Sequence, residues 1–128
     1  MFEKDFDGWN AFKKRLHGRA VYGVAHPREV WWCALGANVG SEIDGKHDNF
    51  ERLVLVLRVY NRETLLIAPM TSKPGGGSFN KKVTMRMRES WVNLTQIRVI
   101  STRRLLRKID DISFEQFQDV RRSLSAFI

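Results

Sequence analysis

The chain has 128 residues, 43% hydrophobic and 28% charged, which suits one globular domain with a modest core and excludes a disordered segment. No apolar run approaches the roughly 20 residues that span a bilayer, the start Met1-Phe2-Glu3-Lys4-Asp5 reads as no secretory signal, and a single Cys33 forms neither an internal disulfide nor a thiolate metal site; a cytoplasmic protein with no membrane partner is the economical reading. A formal charge of +8 and a pI of about 10.2 point instead to a polyanionic partner, nucleic acid or acidic protein.

In chain order, residues 3 to 17 read as a helix. Phe6, Trp9, Phe12 and Leu16 recur at helical spacing, Asp5 and Asp7 suit its N-terminus, Lys13-Lys14-Arg15 suits its C-terminal half, and Gly18 can end it. Val30 to Leu35 reads as a strand with Trp31 and Trp32 on opposite faces, one expected in the core and one partly exposed. Cys33, between bulky neighbours, reads as a buried hydrophobe and not a nucleophile. Gly36 to Asn49 is a polar, Gly-containing loop, the kind of segment that carries binding groups on a rigid scaffold. It brings Lys46 and His47 up to Arg52. Histidine is the side-chain type suited to moving protons at neutral pH, so His47 is a candidate acid or base, the alternative being an exposed loop histidine. His17, His26 and His47 are too scattered for a metal site, and no metal or cofactor is expected.

Phe50 to Ser72 is a hairpin. Leu53 to Leu57 is an unbroken apolar run, the pattern of a strand buried on both faces; Asn61-Arg62 turns the chain, Leu65 to Ala68 returns it, and Pro69 is expected to stop the pairing. Arg52 enters the first strand and Thr71-Ser72 leaves the second, so a guanidinium and a hydroxyl pair should meet at the rim, an arrangement able to hold a phosphate. Lys73 to Ser78 is a Gly-rich loop without the spacing of a P-loop. Lys81 to Arg88 alternates, with Val83, Met85 and Met87 inward and Arg86 and Arg88 outward, as in a half-buried strand. Trp91 to Ile100 reads as a strand pair or one bent strand. Closely spaced strands with no helices between them predict a mainly β protein, a small antiparallel barrel with a helix at each end. Ser113-Phe114-Glu115-Gln116 reads as a capping box opening a last helix, with Phe114, Phe117, Val120, Leu124 and Phe127 as its apolar stripe. The division expected is a single domain over 1–128, with a helical extension at 1–26 and a barrel at 27–128.

Charge is unevenly distributed. Between Lys73 and Lys108 the basic residues Lys73, Lys81, Lys82, Arg86, Arg88, Arg98, Arg103, Arg104, Arg107 and Lys108 are opposed by Glu89 alone, whereas Gly40 to Glu51 is acidic.

Arg52-Leu53-Val54-Leu55-Val56-Leu57 followed by Ala68-Pro69-Met70-Thr71-Ser72 resembles the core of the MazF/PemK-type toxins of toxin–antitoxin pairs. Glu29 to Gly36, Asn38 to Glu42, Leu94 to Ile100 and the closing segment resemble other parts of that family in the same order, so the likeness spans Pro27 to Ile128. The resemblance implies an SH3-like barrel and a metal-independent, sequence-specific endoribonuclease (an mRNA interferase) cutting single-stranded RNA. In that reaction the 2′-hydroxyl attacks the neighbouring phosphate, leaving 2′,3′-cyclic phosphate and 5′-OH ends. It puts the catalytic arginine and threonine on Arg52 and Thr71, with Ser72 assisting; the base is left between His47, Glu51 and an arginine acting through water. Lys46, Lys73, Lys81, Lys82, Arg86, Arg88 and Gln96 are the candidate substrate-binding residues. Two departures bear on the loop: Leu53 stands where the family commonly has proline, and the spacer from Gly45 to Arg52 is longer than in compact members.

A cognate acidic antitoxin and a homodimer are also implied. The apolar strand at Leu53 to Leu57 suggests the dimer independently, as more apolar surface than a small barrel covers. Two other functions fit the same composition: a non-catalytic nucleic-acid-binding barrel that stacks bases on Trp or Tyr, and a gyrase-poisoning toxin of the same fold.

Overall fold

The apolar run Leu53–Val56 is the centre of β2 (Glu51–Val59), and every residue in it is buried. The computed structural model, which describes residues 3–20, 24–73, 79–86 and 88–128, shows why. Leu53 and Leu55 face a cluster containing Val30, Met70, Val92, Phe117 and Val120. Val54 and Val56 face a second cluster with Cys33, Leu35, Leu65, Ile67 and Leu105. Each such side chain contributes about 1.5–3 kcal/mol relative to an exposed one. Both faces of β2 are therefore covered within one chain. The surplus apolar surface invoked for a dimer is not there, because the sheet folds over on both sides of this strand.

The remaining strands are β1 (Glu29–Ala34), β3 (Thr64–Thr71), β4 (Asn80–Thr84), β5 (Glu89–Asn93), β6 (Arg98–Ser101) and β7 (Leu105–Asp111), and all pairings are antiparallel. Their order is β4-β5-β3-β2-β1-β7, with β6 also on β3. The fold is mainly β, as expected, but the sheet is not closed: β4 and β7 do not pair. Side chains finish that edge instead. The Gln116 amide accepts from Thr84 N–H at 2.6 Å and donates to Thr84 C=O at 3.0 Å, and Asp110 accepts from Arg86 N–H at 2.8 Å.

Several strand expectations need correction. Pro69 does not end β3; it pairs with Val54 inside it. The other edge of β3 pairs with β6 through Ile67 and with β5 from Met70, so Pro69 falls where that ladder changes partner, a place that tolerates a residue without an N–H. The alternation from Lys81 to Arg88 is not one strand: β4 stops at Thr84, a turn follows in which Met85 N–H meets Arg88 C=O at 2.8 Å, and β5 begins at Glu89. Val83 and Met85 are buried and Arg86 and Arg88 exposed, as the alternation requires. Met87 and the Gly-rich stretch Pro74–Ser78 lie outside the described residues. Trp91 to Ile100 holds two strands, β5 and β6, which both pair with β3 and not with each other. Trp31 and Trp32 are both half-buried, one against each cluster, because both faces of β1 are covered.

Two helices flank the sheet. In α1 (Phe6–Gly18), Asp5 caps the N-terminus by accepting from Gly8 N–H at 2.8 Å; Trp9 and Leu16 are buried on Ala34, while Phe6 is exposed. Gly18 is the last helical residue and not a left-handed cap. In α2 (Phe114–Ser125), Phe117 and Val120 enter the first cluster and Phe114 stays exposed. Ser113 caps it by accepting from Gln116 N–H at 3.2 Å, but the Gln116 side chain is held by Thr84, so only half the capping box forms. No helix among the described residues is long and apolar enough to cross a membrane.

Candidate active site

Register builds the site. β2 and β3 pair Val54 with Pro69, and the same pairing carried two residues on puts Arg52 opposite Thr71. The Arg52 guanidinium confirms the approach: Nη1 donates to Met70 C=O at 3.2 Å and Nε to Asp44 C=O at 2.7 Å. Burial pulls the Arg52 pKa below its ordinary value, and nearby Asp44 opposes the shift. An arginine stays charged through such a shift. Two of its five N–H donors are engaged, which orients the fork and leaves donors for an anion.

The cleft at this rim has a volume of about 210 Å³ and is lined by Trp32, Lys46, His47, Glu51, Arg52, Leu53, Met70, Thr71, Ser72, Arg88 and Ser90. It thus gathers all four candidate catalytic residues with Lys46 and Arg88. Thr71 Oγ1 donates to Lys73 C=O at 3.1 Å and accepts from Lys73 N–H at 3.2 Å, a local turn that fixes the hydroxyl at the mouth. Ser90, buried, donates to Thr71 C=O at 3.0 Å and pins the end of β3 from behind. His47 is exposed, with φ +64°, at the tip of the turn closed by the reciprocal Lys46–Glu51 backbone pair at 2.8 and 2.9 Å.

Glu51 is the cleft's carboxylate. Its side chain is 13% exposed, and Oε2 lies 3.1 Å from Arg107 Nη2. The two are an ion pair by distance, yet Oε2 has no partner in hydrogen-bond geometry. Arg107 in turn lies over the Trp32 ring, 5.2 Å from its centroid. The sequence assigned none of Arg107, Trp32 and Ser90 to this site; Trp32 and Ser90 line the cleft, and Arg107 meets it at Glu51 and Trp32, through the pairing of β7 with β1 and of β5 with β3.

The other candidates lie elsewhere. Lys73 is exposed just past Ser72. Lys81 and Lys82 are on β4, Lys82 paired to Glu89 at 3.1 Å, and Arg86 is on the following turn. Gln96 clamps the β1–β2 loop, accepting from Ile43 N–H at 2.5 Å and donating to Ser41 C=O at 3.2 Å, beside a separate cavity of about 590 Å³. Cys33 is fully buried, and burial pushes its thiol up to about 12, with Arg104 and Arg98 opposing; it supplies no nucleophile.

The chain is a small, mainly β protein, an antiparallel sheet flanked by helices, with an oriented arginine and a hydroxyl brought together in a cleft at the sheet's rim. Residues 26–128 match the family described as PemK-like, MazF-like toxin of type II toxin–antitoxin system, and the chain belongs to that family. The fold agrees. MazF from Deinococcus radiodurans superposes with a TM-score of 0.71 at 20% identity, covering 83% of this chain and 97% of that one. A MazE–MazF complex from the same organism gives 0.65 at 18% identity, with 83% and 96% covered. Mycobacterium tuberculosis toxin MazF-mt6 gives 0.59 at 17%, with 77% and 94% covered. A search of curated protein sequences finds no match.

Proposed function

We propose that this toxin is a metal-independent endoribonuclease acting on single-stranded RNA in the cytoplasm. The carrying observation is the half-buried Arg52, oriented by two backbone carbonyls and facing Thr71 across one cleft. Attack of a 2′-hydroxyl on the adjacent phosphate gathers negative charge on the phosphoryl oxygens, and a pre-oriented fork of N–H donors stabilises that charge without reorganising. Thr71 donates to the same group or orients the 2′-oxygen, with Ser72 beside it. The proton can go to His47, to Glu51 or, through water, to an arginine of the cleft; substituting His47 and Glu51 separately (H47A, E51Q) with a pH profile decides, and activity retained in both leaves the arginine.

The test is purified protein with single-stranded RNA in EDTA. Cleavage leaving 2′,3′-cyclic phosphate and 5′-OH ends is expected; intact RNA, or cleavage that needs added divalent metal, overturns the reading. Membership of a toxin–antitoxin family, with MazE–MazF complexes among similar folds, also supports an acidic antitoxin that competes for the RNA-binding face. A homodimer fits the same family reading, and a monomer mass in light scattering would remove it.

A further inference from the structure

The family match begins at residue 26, yet α1 and the segment before it grip the loop that orients Arg52. Lys4 Nζ donates to Asn38 C=O at 2.6 Å and to Gly40 C=O at 2.9 Å, and lies 3.0 Å from the Asp44 carboxylate. That carboxylate accepts from Asn38 N–H at 2.7 Å, while Asp44 C=O holds Arg52 Nε. Trp9 seats on the same loop. Its ring lies 5.5 Å from the Phe50 ring, and Gly36, at φ +85°, is so close that a Cβ there would lie 2.1 Å from Trp9 Cε2. Phe50 C=O accepts from the N–H groups of Leu35 and Gly36 at 2.9 and 3.2 Å. Thus Lys4 fixes the loop at Asp44, eight residues before Arg52, and Trp9 fixes it at Phe50, two residues before.

We infer that the N-terminal segment is a working part of the active site, with Lys4 as a positioning residue that holds Asp44 C=O, and through it the Arg52 fork, in the productive orientation. The inference rests on the endoribonuclease reading above. Lys4 touches neither the cleft nor Arg52; it acts through the loop. A misplacement of about 1 Å at a reacting group costs on the order of a hundredfold, so loosening Asp44 should lower turnover with little effect on substrate capture.

The experiment compares K4M and K4R in the full chain. For K4M, kcat on single-stranded RNA should fall roughly ten- to a hundredfold with KM changed by less than about twofold, and K4R, which restores the charge and donors, should recover most of it. In an R52A background K4M should cost nothing further, because the residue it positions is gone. Amide exchange over Gly36–Phe50 should speed up in K4M at an unchanged melting temperature. Wild-type turnover in K4M, an equal loss in the R52A background, or unchanged exchange in the loop would overturn the inference. If the wild type cuts no RNA, the enzymatic reading falls, and the exchange measurement still decides whether Lys4 orders the loop.

Discussion

The surroundings of Arg52 do its orienting. Its fork is held by two carbonyls at once, from Asp44 and Met70, and in the proposed reaction it must still present donors to a phosphate. A lysine concentrates its charge on one nitrogen and has no planar fork to divide between these tasks. R52K should therefore behave like R52A in RNA-cleavage assays, both losing about 10²–10³-fold in kcat, the usual cost of an oxyanion donor, with circular dichroism unchanged; cleavage by R52K near the wild-type rate would remove the bidentate role. Glu29 makes a different prediction. Burial tends to raise its pKa, but hydrogen bonds from Trp31 Nε1 (2.9 Å) and His26 N–H (2.8 Å), together with Lys108, outweigh burial and leave it lowered. A lowered carboxyl contributes stability that is present above its unfolded pKa and is lost as pH falls through the folded one. The wild type should thus exceed E29Q in urea melts at pH 7, and the gap should shrink below about pH 4, near the unperturbed carboxyl value; a gap that widens toward acid would contradict the assignment. At this scale the meeting of Arg52 with Thr71-Ser72 was legible, because one hairpin brings its two ends together; that Thr71 and not Ser72 stands opposite depends on the bulge between Val56 and Arg58, which the sequence does not show. The Asp44 carbonyl and the Glu51–Arg107 pair were not legible, since loop path and strand order decide them.

Elements were legible where a single periodicity governs. The β2 run and both helices show it plainly. The sequence missed the split of Lys81–Arg88 into strand and turn, because inward-facing Val83 and Met85 keep alternating past the last paired residue. It also missed that α1, whose aromatic face clearly needed a partner, finds it on the loop between β1 and β2 and not merely on the sheet. Trp9 is 6% exposed between Ala34, Phe50 and the backbone of Gly36. W9A should cost about 3–5 kcal/mol in urea unfolding, the range for deleting a buried Trp or Phe. F12A, at a half-buried neighbour, should cost less. Equal losses would show that α1 docks diffusely.

Across the molecule, the basic residues fall in two neighbouring groups. The cleft holds Arg52, Lys46 and Arg88, while Lys81, Lys82 and Arg86 extend the basic surface along β4 and its turn. RNA lying along both should bind with a steep salt dependence, the slope of log affinity against log salt growing by about 0.7 per phosphate contact on a single strand. The pair R86E and R88E should flatten that slope as well as weaken binding; weaker binding at the same slope would put the RNA elsewhere. The overall charge pointed to a polyanionic partner, an expectation that this salt titration tests. The open sheet was not readable, because short strands of this spacing serve closed and open arrangements alike.

The Gln116 amide on Thr84 has a consequence for solubility. The outer edge of β4 is a ready template for a strand from another molecule, and natural proteins blunt such edges with charge or a cover. Here a helix lends one side chain that occupies both backbone groups of Thr84, while Lys81 and Lys82 add repulsion along the same strand. Q116L keeps the bulk and removes the imitation of a peptide group. It should therefore leave the fold standing and shorten the time the protein stays clear of amyloid-like aggregates, read by light scattering and thioflavin fluorescence; unchanged solution behaviour would show that the two lysines suffice.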